Sequence, residues 1–192
     1  PQDLNGLLDE VREYQAAYRP LFRRREQREK SERYLHGLLS PEIKNKAIEP
    51  MVLELEGDNQ SEIRAMQHFI SEGAWDDGAV LRQHWQEVAK DLAAAEGVFT
   101  LDGSDFPKQG SESVGVKRQW CGELGKRANC QAGVFLGYVS PKGYTLLHRR
   151  LYLPEEWVAD EAYAARREKC GVPHEVTFQT KPTLGLEMLK EV

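Results

Sequence analysis

The feature that most limits what this chain can fold into is a change of hydrophobic period at Gly97. Before it, apolar residues recur at three- and four-residue steps. Leu4, Leu7, Leu8, Val11, Tyr14 and Tyr18 mark one face of a helix. After it, Val98–Asp102, Ala132–Ser140 and Tyr144–Leu153 read as β-type runs. Ser140-Pro141-Lys142-Gly143 is a turn suited to joining the last two as a hairpin. The expected class is therefore mixed α+β. Residues 1–96 form an all-α helical domain, and residues 97–192 the opening of an α/β domain whose first three strands are antiparallel. With three strands in that second half, the domain reads as cut before completion.

Punctuation refines the helical part. Pro20 interrupts the first helix, and a polar helix from about Leu21 to Leu39 continues it. Ser40-Pro41-Glu42 reads as a helix start, with Ser as N-cap, Pro in the first turn and an acid behind it. That helix should bend or stop near Pro50 and end at Gly57. Ser61–Ser71, with Ile63, Met66, Phe69 and Ile70 inward, and Ala79–Ala95, with Val80, Leu81, Trp85, Val88 and Leu92 inward, are two more. Gly103 to Gln131 reads as one long Gly-rich connection, Glu155 to Lys169 as a single helix, and Thr183 to Val192 as another. His36, His68 and His84 stand singly on helices, without a partner at metal-ligand spacing.

Composition excludes several classes. No run approaches the roughly 18–20 apolar residues of a membrane span. Pro1-Gln2-Asp3-Leu4 does not open a secretory signal, and three cysteines (Cys121, Cys130, Cys170) form no even disulfide set, so a cytoplasmic protein with reduced thiols is expected. Cys121 and Cys130 lack the spacing of a structural zinc site. The net charge of −5 argues against indiscriminate nucleic-acid binding, but the charge is segregated. From Lys108 to Arg150 eight basic residues face two acids, and it is such a local patch that a phosphate backbone would feel. Its members are Lys108, Lys117, Arg118, Lys126, Arg127, Lys142, Arg149 and Arg150. Arg23-Arg24-Arg25 forms a second basic knot, and for Arg23 to Arg33 a solvated helix face with i,i+3 and i,i+4 pairs is the simpler reading.

Within Val98–Gly110, a β-type run delivers Asp102 at its end, followed by Gly103-Ser104-Asp105-Phe106-Pro107-Lys108. A carboxylate there can serve as a metal ligand or catalytic acid on a rigid support, or can simply start an Asp-Gly turn. Asp105 is the second choice as a ligand, since it falls in the expected turn. Trp120, among Lys117, Arg118 and Lys126, reads either as a nucleic-acid contact or as packing.

Three blocks carry a resemblance: 101–110 (Leu-Asp-Gly-Ser-Asp-Phe-Pro-Lys-Gln-Gly), 113–122 (Ser-Val-Gly-Val-Lys-Arg-Gln-Trp-Cys-Gly) and 124–131 (Leu-Gly-Lys-Arg-Ala-Asn-Cys-Gln). Arg149-Arg150-Leu151-Tyr152-Leu153-Pro154, Trp157 and Thr180-Lys181-Pro182 continue it, and Tyr18 to Arg28 with Trp75-Asp76-Asp77 extend it into the helical part. The chain resembles the N-terminal portion of DDE-type insertion-sequence transposases, of the group numbered seven hundred and one, near the group numbered four. The resemblance implies a ribonuclease H-like catalytic domain, here incomplete, whose first strand carries the first catalytic and metal-binding acid, Asp102. It implies Mg²⁺ or Mn²⁺ at the complete family site, with none bound by this fragment as the alternative. Two hard cations roughly 3.5–4 Å apart need several carboxylates, one ion activating the attacking oxygen and the other stabilising the leaving one.

The resemblance further implies double-stranded DNA (terminal inverted repeats) as partner, with the helical residues 1–96 as a DNA-binding domain. DNA contacts are expected from Arg23, Arg24, Arg25, Lys108, Lys117, Arg118, Lys126, Arg127, Arg149 and Arg150. The second Asp and the late Glu are expected beyond Val192, so this chain is expected not to cut DNA alone. His148 stands where an Asp is expected. A truncated, catalytically inactive derivative that binds DNA, or that pairs with itself or with a full-length transposase to regulate transposition, is the alternative, and a non-functional product that still folds in part is the third.

Overall fold

A computed structural model describes residues 4–192, with side chains from Asp9 onward. The signal-peptide reading of residues 1–3, and Leu4, Leu7 and Leu8 of the expected apolar face, lie outside the described residues or side chains. Two compact units are defined, one ending at Gln83 and the other starting at His84.

The first unit is helical. Helix α1 (Leu4–Tyr18) runs into a 3₁₀ turn, Arg19–Leu21, where Pro20 removes a helical N–H donor. Helices α2 (Arg25–Leu39), α3 (Ile48–Glu56) and α4 (Gln60–Ser71) follow, and α5 (Asp77–Leu92) begins in this unit and ends in the next. Ser40-Pro41-Glu42 does not start a helix, contrary to the expectation. That helix starts at Ile48, where Pro50 sits in the first turn and so lacks only an N–H that would have had no partner there. It ends at Gly57, whose φ of +74° favours glycine. Asn59 caps α4 by accepting the Glu62 N–H at 3.1 Å. Phe22, Val52, Ile63, Met66 and Phe69 form the core, with Tyr18, Tyr34, Ile48, Trp75 and Val80 against it. Ile70, expected inward, is exposed.

The second unit is built on β3 (Lys126–Ser140). Strands β1 (Val98–Pro107), β2 (Lys117–Cys121) and β4 (Gly143–Tyr152) all pair antiparallel with it. The row β1-β3-β4 is the expected antiparallel meander, and the β3–β4 hairpin turns through Pro141-Lys142, between Ser140 and Gly143. The expected long connection is corrected. β1 continues five residues past Asp102, because β3 is long enough to pair with it as far as Cys130, and β2 with the turn Gly122–Leu124 fills much of the rest. Among the described residues four strands, not three, are present, within a mixed α+β fold.

Helices α6 (Glu155–Ala159) and α7 (Ala164–Lys169) replace the single helix expected. Asp160 breaks it, since its carboxylate accepts the Ala162 N–H at 2.9 Å and starts a fresh turn. Helix α8 (Lys181–Glu191) is capped by Thr180, which accepts the Thr183 N–H.

Side chains alternate along β3, so its two faces differ. Val134, Leu136 and Tyr138 are buried beneath Val88 of α5 and Leu184 and Met188 of α8, with Leu147, Trp85, Leu92 and Tyr152 completing the core. Gly185 brings α8 close to β1: a Cβ there would lie 2.2 Å from Leu101 Cδ2. The other face carries Gly133, Phe135, Gly137 and Val139, and their partners Val98, Tyr144, Leu146 and Leu151 are exposed. Among the described residues no helix is long and apolar enough to cross a membrane.

Candidate functional site

Asp102 lies within β1 opposite Phe135, which in turn pairs with Arg149 of β4. The three residues form one row across the open face, so that Asp102 and Arg149 are two strand spacings apart, about 10 Å between backbones. Asp102 is exposed, and its Oδ1 accepts the Gly103 N–H at 2.7 Å. Lys181, the first residue of α8, approaches from the covered side. Its Nζ would lie 3.3 Å from a Cβ on Gly103, and it sits 5.4 Å from the centre of the Tyr152 ring. The sequence reading did not single out Lys181 as a site residue. The available signal was Thr180-Lys181-Pro182, a helix start that aims the side chain back over the sheet edge. Asp105 is corrected from turn to strand: it pairs with Ala132, and its Oδ2 accepts the Gly122 N–H at 2.7 Å.

A two-metal site needs several hard oxygen ligands. Among the described residues, no group of three or more His, Cys, Asp or Glu side chains is arranged to hold a metal ion. The neighbours of Asp102 in its row are an aromatic ring and a guanidinium, neither of them a cation ligand. The described residues therefore offer one carboxylate and do not by themselves fit the metal pair.

The basic residues divide into paired and unpaired groups. Lys117 forms an ion pair with Glu156, which holds that carboxyl below the usual carboxylate range. Arg150 is half-buried on the covered side and pairs with Glu191. In the first unit Arg25 pairs with Glu29 at 2.7 Å. Lys30 and Arg33 reach across to Glu62 of α4, and Arg33 also reaches Glu56 of α3, so the expected solvated face is partly an interhelical ion network. Arg24 lines a cavity of about 400 Å³ with Lys30 and His68, and Arg23 is exposed.

Arg118, Lys126 and Arg127 differ. They are exposed on the hairpin formed by β2 and the start of β3, and their side chains make no hydrogen bond or ion pair among the described residues. Lys108 is half-buried, its backbone N–H donating to Asn129 O at 2.9 Å, and Arg149 is exposed on the open face. Trp120 pairs across the hairpin with Arg127, and Arg118 with Asn129, so alternation puts all four on one side. The opposite side buries Cys121 and Cys130, and burial pushes the Cys130 thiol upward.

His148 is 6% exposed and wedged against Trp85 with ring centres 5.6 Å apart. Its Nε2 lies 2.9 Å from Glu191 Oε2, and the Arg149 N–H donates to its Nδ1 at 2.8 Å. The hydrogen bond from His148, and then the Arg150 charge, hold the Glu191 carboxyl below its ordinary range. His148 thus joins α8 to β4 on the covered side, away from the row that carries Asp102.

The family described as DDE superfamily endonuclease matches residues 17–192, and the chain belongs to it. It is 28% identical over 143 residues to a probable transposase for insertion sequence element IS701 from Microchaete diplosiphon. That match covers 71% of this chain and 35% of the relative, so the chain spans about a third of that protein's length. No solved structure matches.

Proposed function

We propose that this protein acts on double-stranded DNA as part of a DDE transposase that works in the cytoplasm at the terminal inverted repeats of its element. The helical unit and the cationic hairpin would grip the duplex. Asp102 would be one oxygen ligand of a Mg²⁺ or Mn²⁺ site whose further carboxylates lie outside the described residues. The observation that carries this reading is the family match through residue 192, together with an acid of the first strand exposed on an uncovered sheet face. Arg118, Lys126 and Arg127, left without carboxylate partners, supply the positive charge that a phosphate backbone requires. Fluorescence anisotropy against terminal-repeat and unrelated duplexes tests it. Preferential binding that weakens steeply with salt is expected, and equal, salt-insensitive binding to both would refute it.

A second reading has its own support. The exposed cationic hairpin suits equally a catalytically inactive partner that binds DNA, or that pairs with itself or with a longer transposase, and so regulates transposition. Strand cleavage by the 192-residue chain in Mg²⁺ would exclude this reading.

A further inference from the structure

The chain has four tryptophans, and three are built into the structure in the same way. The indole N–H of Trp75 donates to Phe69 O at 2.8 Å, that of Trp85 to Leu147 O at 2.8 Å, and that of Trp157, fully buried, to Val116 O at 2.9 Å. This is how a folded chain accommodates an indole, with the ring in the core and the N–H satisfied. Trp120 is 63% exposed, and its ring makes no hydrogen bond or stacking contact among the described residues. Such exposure costs apolar burial that the other three obtain.

Trp120 is nevertheless rigidly mounted. β2 and β3 pair in register from Lys117–Cys130 to Cys121–Lys126, and buried Cys121 and Cys130 fix the back of the hairpin. The Gln119 amide donates to Cys130 O at 3.2 Å. The hairpin tip is tied to β1 through the Gly122 N–H on Asp105. Gly125 closes the tip in the left-handed region at φ +60°. Facing outward beside the ring are Arg118 and Arg127, both unpaired. Glu123 at the tip is the one acid between Lys117 and Cys130, so a polyanion would track along the arginines rather than over the tip.

We propose that this hairpin captures an unpaired nucleobase at a DNA end, the base stacking on Trp120 while Arg118 and Arg127 hold its flanking phosphates. The inference rests on the DNA-acting reading above and adds what part of the DNA is recognised. A base inside a duplex has both faces covered by its neighbours, so a flat exposed indole finds a free π-face only where bases are unpaired or terminal. Stacking of this kind tolerates any sequence, and flanking cations make it sensitive to salt.

The test compares anisotropy on a blunt terminal-repeat duplex and on the same duplex ending in four unpaired nucleotides. The wild-type chain should bind the frayed end about tenfold more tightly, within the range known for base–aromatic stacking. Trp120→Ala should erase that preference, bringing the frayed end down to the affinity of the blunt one, and Trp120→Phe should retain most of it. A 2-aminopurine at the unpaired position should be quenched by the wild-type chain and not by W120A. Arg118→Ala with Arg127→Ala should weaken binding to both duplexes. Because the ring is mostly exposed, W120A should keep the wild-type circular dichroism and melting temperature. Should it misfold, the quenching seen with wild type and W120F decides instead. Blunt-duplex binding without an end preference, or a preference that survives W120A, would overturn this proposal alone. Failure of the wild-type chain to bind any DNA would overturn both readings.

Discussion

The two faces of the β1-β3-β4 sheet share one backbone and differ in almost everything else. On the covered face the apolar residues meet helices α5 and α8, and two polar ones, His148 and Arg150, converge on Glu191. On the open face the row Thr100, Asp102, Ser104 runs beside Gly137, Phe135 and Gly133, among exposed Leu146, Leu151 and Tyr144. Large apolar side chains left in the open mark a surface made to meet something else, whereas buried ones mark a surface that holds the fold. The same division extends to the hairpin, with its cysteines on the buried side and Trp120 with the unpaired arginines on the other. In this unit the packed core and the exposed polar and apolar groups fall on opposite sides of one strand.

The strongest way to break that comparison is to remove one leucine from each face. Leu136 is buried beneath α8 and Leu146 is 61% exposed. Leu136→Ala should cost about 2–5 kcal/mol, because it leaves a cavity, and Leu146→Ala no more than about 0.5 kcal/mol. Urea unfolding followed by circular dichroism measures both. Similar losses would mean that the open face is packed in solution.

The second prediction moves from packing to charge on the hairpin. Arg118→Ala with Arg127→Ala should reduce the salt slope of DNA binding by roughly 2, one for each phosphate no longer neutralised. Lys117→Ala should change it less, since Lys117 already serves Glu156. A larger effect from Lys117 would show that its ion pair opens on binding and that paired and unpaired cations are not distinct classes.

The sequence reading located some of this division and missed some, for identifiable reasons. The period change at Gly97 marked the start of β1, and the β3–β4 hairpin was legible because Ser140-Pro141-Lys142-Gly143 lies between apolar runs. The strand beyond Asp102 was not. Gly103, Ser104 and Pro107 are poor strand formers alone, and pairing with the long β3 overrides that local preference. The Ser40-Pro41 signal misled because capping residues permit a helix start without compelling one, and the apolar pattern that drives α3 begins only at Ile48. Asp102 was legible as an acid near a strand end, but its row with Phe135 and Arg149 depends on register. The division of the cations depends on tertiary ion pairs such as Lys117–Glu156, which no local pattern encodes.

The third prediction sharpens the covered side through pH. Glu191 is held below its ordinary range by His148 and Arg150, so the folded state binds its proton less readily than the unfolded chain does. Its contribution is fully present above the unfolded carboxylate value near about 4.3 and is lost as pH falls through the lower folded value. Wild type should therefore lose more melting temperature than Glu191→Gln between neutral pH and the acidic end of the carboxylate range. The effect should be small, because Glu191 is exposed to solvent on one side. Parallel pH dependence in the two proteins would detach Glu191 from the docking of α8.

The smallest effect is expected at Asp102, and there the chemistry of the substitution decides between its two readings. Asparagine keeps an oxygen that can accept the Gly103 N–H and removes only the charge, whereas alanine removes both. If Asp102 were chiefly a turn former, Asp102→Ala would destabilise the fold by about 1 kcal/mol and Asp102→Asn would be tolerated in every assay. A residue placed on the open face for its carboxylate behaves otherwise. Both variants should stay within about 0.5 kcal/mol of wild type in stability, and metal-free DNA affinity should not fall. The effect should appear as charge: with a carboxylate removed from the open face, both variants should bind DNA slightly more tightly than wild type at low salt, and the difference should vanish at high salt. Unchanged low-salt affinity in Asp102→Asn would place that charge away from the path of the DNA.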